Sequence, residues 1–229
     1  TLVGIRAGRA ALIEDSAVEH CGASGSTTLH AIQAGAGAIV SGCRLLGNVT
    51  AGSGSVMVRS SAYGSSPYNY NTDIGDASVI ADSFFNQGGQ SVVNIRSGSL
   101  FENNGIAALE SPYACQLQAN NGSLIAGSVL ALGENGKLAA TYDCYILGNQ
   151  FNGTPVDLGS GYSRLDRNML ISTGTCVNAS GPHNLIIRNS FSSGSTQWIA
   201  NASDDSVGVV ITQSVIGSAS PWGNVSLRP

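Results

Sequence analysis

Nine hexapeptides in this chain follow one template. IEDSAV (13–18), VSGCRL (40–45), IADSFF (80–85), FENNGI (101–106), IAGSVL (125–130), ILGNQF (146–151), LDRNML (165–170), IIRNSF (186–191) and ITQSVI (211–216) each begin and end on an apolar residue. Their fourth places are Ser16, Cys43, Ser83, Asn104, Ser128, Asn149, Asn168, Asn189 and Ser214, small and polar in every case but Cys43. The third place is usually Asp, Gly or Asn. Successive fourth places lie 27, 40, 21, 24, 21, 19, 21 and 25 residues apart, a period that belongs to repeat architectures.

An apolar residue, a tight polar corner and a second apolar residue describe two short strands meeting at a bend. Gly, Asn and Asp tolerate the left-handed backbone such a bend needs. Further strand signals stand about ten residues earlier in several repeats, at Ile32, Val93 with Ile95, Leu117, Val156 with Leu158, and Val177. A unit this short cannot bury its apolar face alone, whereas stacked units form a continuous core and pair their backbones with neighbouring turns. The expected fold is all-β: one domain over residues 1–229, a parallel β-solenoid of about nine to ten rungs. Asn104, Asn149, Asn168 and Asn189 are expected to stack into a structural ladder, each amide bonding to its neighbour. The 40-residue step is read as a loop insertion at about 50–78. Leucine-rich repeats fit less well, since LxxLxL and a helical half-repeat are absent.

Composition narrows the partners. Charged residues make up 10% of the 229, with net charge −4 and a single lysine, Lys137, so no basic footprint for nucleic acid or an anionic membrane exists. No run approaches the roughly 18 apolar residues of a spanning helix, so membrane insertion is not expected. The apolar share of 42% is ample for a core. The chain starts at Thr1 inside a patterned segment, which suggests processing or a boundary upstream.

The nine templates resemble right-handed parallel β-helix repeat proteins of the pectate-lyase-like superfamily, over essentially the whole chain. HNLIIRNSFSSGSTQWIANASDDSVGVV (183–210) followed by SPWGN (220–224) is similar to the last rungs of secreted bacterial members, which close on a Pro-Trp-x-Asn motif. Pro221, Trp222 and Asn224 match that motif, and Gly223 stands where Ala is usual. The resemblance implies a right-handed coil, export to the extracellular space or cell surface, and Trp222 as a cover over the last rung. Many such proteins carry no assigned activity, so it implies little chemistry.

The candidate binding residues lie in the 50–78 stretch: Tyr63, Tyr68, Asn69, Tyr70, Asp73 and Asp76. Tyrosine faces stack on sugar C–H faces while amides and carboxylates take hydroxyls, and protruding loops commonly carry function. The bland alternative is a packed cover over one rung. For a polysaccharide lyase or glycosidase, a site could form on one lateral sheet from groups distant in sequence such as Asp73, Asp76 and Arg96, although the carboxylate clusters of Ca²⁺-dependent lyases and of hydrolases are not evident. Six sequons, at Asn48, Asn121, Asn152, Asn178, Asn201 and Asn224, are candidate glycosylation sites in a eukaryotic host. His20, His30 and His183 have no partner fixed by spacing, and Lys137 reads as a solvated turn. The five cysteines form no CxxC pair and read as buried small hydrophobes, so no metal and no cofactor are expected. Two functions compete, beside a bare interaction module whose partner face is a flat β-sheet without glycan affinity. One is a non-catalytic extracellular rod, structural or fibre-forming, that binds polysaccharide or other glycans and associates with itself end to end or as a trimer. The other is a lyase or glycosidase, including the trimeric spikes with which phages cleave host glycans.

Overall fold

The structure, a computed structural model, describes residues 2–19, 29–63, 71–86, 91–108, 115–133, 135–193, 199–201, 204–208, 210–212 and 222–226. Every regular element among them is a short strand. The strands form three parallel sheets of ten, ten and eleven strands. Up to Val210–Thr212, consecutive strands enter different sheets: Leu2–Ala7 lies in the first, Leu12–Glu14 in the second, Ala17–Val18 in the third, and Leu29–Ala34 returns to pair with Leu2–Ala7. The chain is a parallel β-solenoid with three strands per turn.

The hexapeptide template explains the corner between the second and third sheets. Its first residue, such as Ile80 or Ile125, points inward from the second sheet, and its last, such as Phe85 or Leu130, points inward from the third. The third places Asp15, Gly42, Asp82, Asn103, Gly127, Gly148, Arg167 and Arg188 all have φ between 47° and 65°, the left-handed turn that brings both apolar residues into one core. Register stacks like on like. Ile80 is followed by Phe101, Ile125, Ile146, Leu165 and Ile186, all essentially sealed from solvent.

The fourth places lie inside that corner, and their side chains stitch each rung to the one before. Oδ1 of Asn104 accepts the Ser83 backbone N–H at 2.9 Å, Ser128 Oγ accepts that of Asn104 at 3.1 Å, and Asn149 Oδ1 that of Ser128 at 2.9 Å. Asn168 then accepts from Asn149, and Asn189 from Asn168, both at 2.9 Å. A second ladder, not singled out in the sequence, runs along the corner between the first and second sheets. There the N–H groups of Ala38, Ser55 and Ser78 donate to Oγ of Ser55, Ser78 and Ser99, each at 3.1 Å.

Two expectations are corrected. The 40-residue step holds a regular rung, with strands Asn48–Ala51, Val56–Val58 and Ser61–Tyr63, so 50–78 is not an insertion as a whole. Ser60 bridges the ladder from Cys43 to Ser83, at 3.2 Å on both sides, and Arg59 takes the left-handed corner. The rung escapes notice because its template, MVRSSA, ends on small Ala62 where the others end on a large apolar residue. The second correction is at the other end. The ladder passes from Asn189 to Asn224, whose Oδ1 accepts the Asn189 N–H at 2.9 Å, because Asn224–Ser226 inserts between Ser190–Ser193 and Val210–Thr212 in the third sheet. Ser214 lies outside the described residues.

Cys43, Cys115, Cys144 and Cys176 are buried, unbridged thiols. Burial pushes the Cys115 thiol up to about 12, so it packs as a small hydrophobe.

Candidate functional site

The outer face of the second sheet carries the richest chemistry near its C-terminal end. Strand pairing aligns Tyr145, Arg164, Leu185 and Ser206 in one outward column, and Leu147, Asp166 and Ile187 in the next. Alternation should leave Asp166 and Ile187 in solvent. Both are instead buried, because Arg188 and the C-terminal segment fold over them.

Asp166 organises this cover. Arg164 donates Nε and Nη2 to Asp166 Oδ2 at 3.2 and 2.7 Å. Arg188 donates Nε to Oδ1 at 2.7 Å and Nη2 to Oδ2. Burial alone would push the Asp166 carboxyl up, but the hydrogen bonds from Arg188 and Arg164 outweigh it and hold the group below the ordinary carboxylate range. The Asp166 hydrogen bond in turn raises Arg188. The Trp222 indole lies over the Arg188 guanidinium, 4.9 Å from ring centre to Cζ, and the Trp222 carbonyl accepts the Arg188 N–H at 3.4 Å. Trp222 therefore does not close the last rung. It stands on the lateral face, 54% exposed, because the inserted strand Asn224–Ser226 brings it beside Arg188.

Between these groups is a groove of about 690 Å³, floored by Leu185, Ile187, Val207 and Gly208 and edged by Arg164, Asp205, Ser206 and Trp222. Asp205 is positioned by Asn184, whose backbone N–H and Nδ2 donate to its Oδ1 at 2.8 and 3.2 Å. An aromatic stack runs along the adjoining corner. Tyr142 and Tyr162 have ring centres 5.2 Å apart, Tyr162 and His183 5.0 Å, and His183 Nδ1 lies 3.7 Å from an Asp204 carboxylate oxygen. Tyr162 and His183 occupy left-handed corner positions, which turns their rings outward. One-dimensional reading missed this group: Arg164, Trp222 and Tyr142 are far apart in sequence, and the template gives only the inward positions.

The residues expected from sequence are divided by the fold. Asp73 and Asp76 line a smaller cavity of about 280 Å³ with Arg96, on the outer side of the first sheet. Arg96 clamps Asp73 through Nε and Nη2 at 2.7 and 2.6 Å, Asn94 adds a bond at 3.3 Å, and Asp76 Oδ1 accepts the Ser97 N–H at 3.1 Å. Tyr63 is on the third sheet instead, half-buried, with the Arg44 guanidinium 5.5 Å from its ring centre. Tyr68, Asn69 and Tyr70 lie outside the described residues. Lys137 is not a turn residue: it opens the strand Lys137–Ala140 and pairs with Asp157 at 3.0 Å. His30 sits in the first sheet with a buried Nδ1 that has no partner among the described residues, and His20 is outside them.

Of the six sequons, Asn121 and Asn178 are exposed; Asn48 and Asn152 are half-buried. Asn201 lies in the strand Ile199–Asn201. Asn224 is fully buried, its Nδ2 donating to the Ile186 and Gly208 carbonyls at 3.1 and 2.9 Å, so the nitrogen a glycan would need is sealed in the ladder.

Fold and groove together define a parallel β-solenoid protein with a lateral groove lined by Trp222, Arg164 and an apolar strip. No family model, curated protein or solved structure matches the chain.

Proposed function

We propose that this protein is a non-catalytic extracellular β-helix rod that binds carbohydrate on the outer face of its second sheet. The observation that carries the reading is the groove beside Trp222: an amphipathic aromatic face fixed on Arg188, an apolar floor, and polar edges at Arg164, Asp205 and Ser206. Sugar rings offer apolar C–H faces and a rim of hydroxyls, and a concave apolar site with a few placed polar groups suits them. The buried carboxylate there is committed elsewhere. Asp166 is held ionised between two guanidinium groups, the opposite of the raised, protonated carboxyl a glycosidase uses as its acid. Asp73 is likewise clamped by Arg96. Export and self-association, end to end or as a trimer, belong to the same proposal and have their support in the resemblance and in the paired-edge construction of the coil.

Glycan-array binding by the purified chain, alongside Trp222→Ala and Trp222→Phe, tests the reading. Binding is expected in the wild type, lost at least tenfold in Trp222→Ala at unchanged melting temperature, and largely kept in Trp222→Phe. New reducing ends or unsaturated products released from a bound polysaccharide, and abolished by Asp73→Ala, would replace the rod with a depolymerase.

A further inference from the structure

We infer that the lateral groove takes an uncharged oligosaccharide several sugars long, laid obliquely over the outer face of the second sheet from Trp222, beside Arg188 at one corner, towards the Tyr142–Tyr162 pair at the other. The inference rests on the carbohydrate-binding reading and adds charge, length and direction.

The electrostatics of the site decide the charge. Arg164 and Arg188 bring two positive charges, Asp166 and Asp205 two negative ones, and Asp204 beside His183 a further negative one, so the groove and its surroundings carry no net positive charge. A uronate or sialate would gain no net attraction there, and its carboxylate would have to compete with Asp166 for guanidinium groups already bonded to it. A hydroxyl fits better. A guanidinium has five N–H donors, and Asp166 takes two from each arginine, leaving about three on each. Hydroxyl oxygens can accept from these while hydroxyl protons go to carboxylate or serine oxygens at the edge. Arg164 is partly exposed, its side chain at 36%, so its remaining donors reach the groove.

The layout of the rungs decides length and direction. Tyr142 and Tyr145 belong to one rung, Tyr162 and Arg164 to the next, His183 and Leu185 to the third, and Asp205 and Ser206 to the fourth. With rungs about 4.8 Å apart, the span from Tyr142 to Asp205 is about 14 Å, longer than one sugar ring. The rings at its upper end reach solvent: Tyr142 is 43% exposed, Tyr145 43% and Tyr162 50%. An elongated row of aromatic faces interrupted by paired charges binds a chain better than a terminal sugar, because each added residue meets a further ring.

Titration calorimetry on the full chain separates the outcomes, with neutral gluco-, manno- and chito-oligosaccharides of one, three and six residues and oligogalacturonates of the same lengths. At least one neutral series should bind, tightening tenfold or more from one residue to six and changing less than twofold between low and high salt. Tyr162→Ala should weaken the six-residue ligand about tenfold and leave the one-residue ligand within twofold. Trp222→Ala should weaken every length. Oligogalacturonates that bind more tightly than the neutral chains and lose affinity in salt would overturn the inference and leave the carbohydrate reading standing. Affinity indifferent to length or to Tyr162 would overturn it too. Failure of every ligand to bind would bring down both.

Discussion

Asn168 shows how much one side chain does in this fold. Its Oδ1 accepts the Asn149 N–H and Nδ2 at 2.9 and 3.0 Å, and its own Nδ2 donates to the carbonyls of Ile146 and Asp166 at 2.9 and 3.1 Å. All of this lies in a sealed corner. Truncation leaves a buried N–H and a buried carbonyl without partners, each costing about 1–3 kcal/mol. Asn168→Ala should therefore lower stability by about 3 kcal/mol in urea unfolding, and Asn168→Ser by about half that. Serine is milder because Ser128 already accepts a rung N–H at the equivalent place. Equal losses in the two variants would mean that the cost is cavity, not hydrogen bonding. The polar fourth place is visible in the sequence because it recurs between two apolar residues. What the sequence does not display is the second ladder, since Ser55, Ser78 and Ser99 stand among many other serines with no flanking pattern to mark them.

At the scale of the single rung, glycines report two different demands. Gly148 is a left-handed corner with φ 65°, and a Cβ there would meet nothing within 4 Å. Its substitution by alanine should cost only the backbone penalty, about 1–2 kcal/mol. Gly52 sits where successive rungs approach closely, and its Cβ would fall 2.5 Å from the Ala36 backbone nitrogen and 2.7 Å from its Cα. Backbone cannot step aside as a side chain can, so Gly52→Ala should cost more than Gly148→Ala and loosen the join between neighbouring rungs. Thermal melts of the two variants check the order, and hydrogen exchange should show faster amides around Gly52 only in the first. The same rung explains what was legible. Strands with large apolar ends declare themselves, whereas the turn through Met57, Ser60 and Ala62 is regular in three dimensions and irregular in letters. The groove was less legible still. Its residues face outward, where the repeat imposes no pattern, and Trp222 reaches Arg188 only because the last strand inserts out of chain order.

Across the whole molecule, stability is close to a sum over neighbouring rungs. Most of what joins them, amide and hydroxyl ladders over an aliphatic core, does not titrate. Acid should therefore act at few places, and the Asp166 cluster is the most buried of them. Its folded carboxyl lies below the ordinary value of 3.8, while in the unfolded chain it returns to that value. The unfolded state then binds the proton more readily, so the contribution is whole at neutral pH and is lost as the pH falls below about 4. Melting temperature should be nearly flat from pH 8 to 5 and fall below about 4, with solubility lowest near the isoelectric point of about 5.2. Because coupling runs only between neighbours, the loss should be local. Hydrogen exchange at pH 3 should speed the amides around Leu165 to Asn189 before those around Ile80 to Asn104. Asp166→Asn should melt lower at pH 7 and lose most of the extra acid sensitivity in the C-terminal rungs. Uniform acceleration along the whole solenoid would show instead that acid acts through net charge, and that the Arg164–Asp166–Arg188 cover adds nothing particular to its end of the rod.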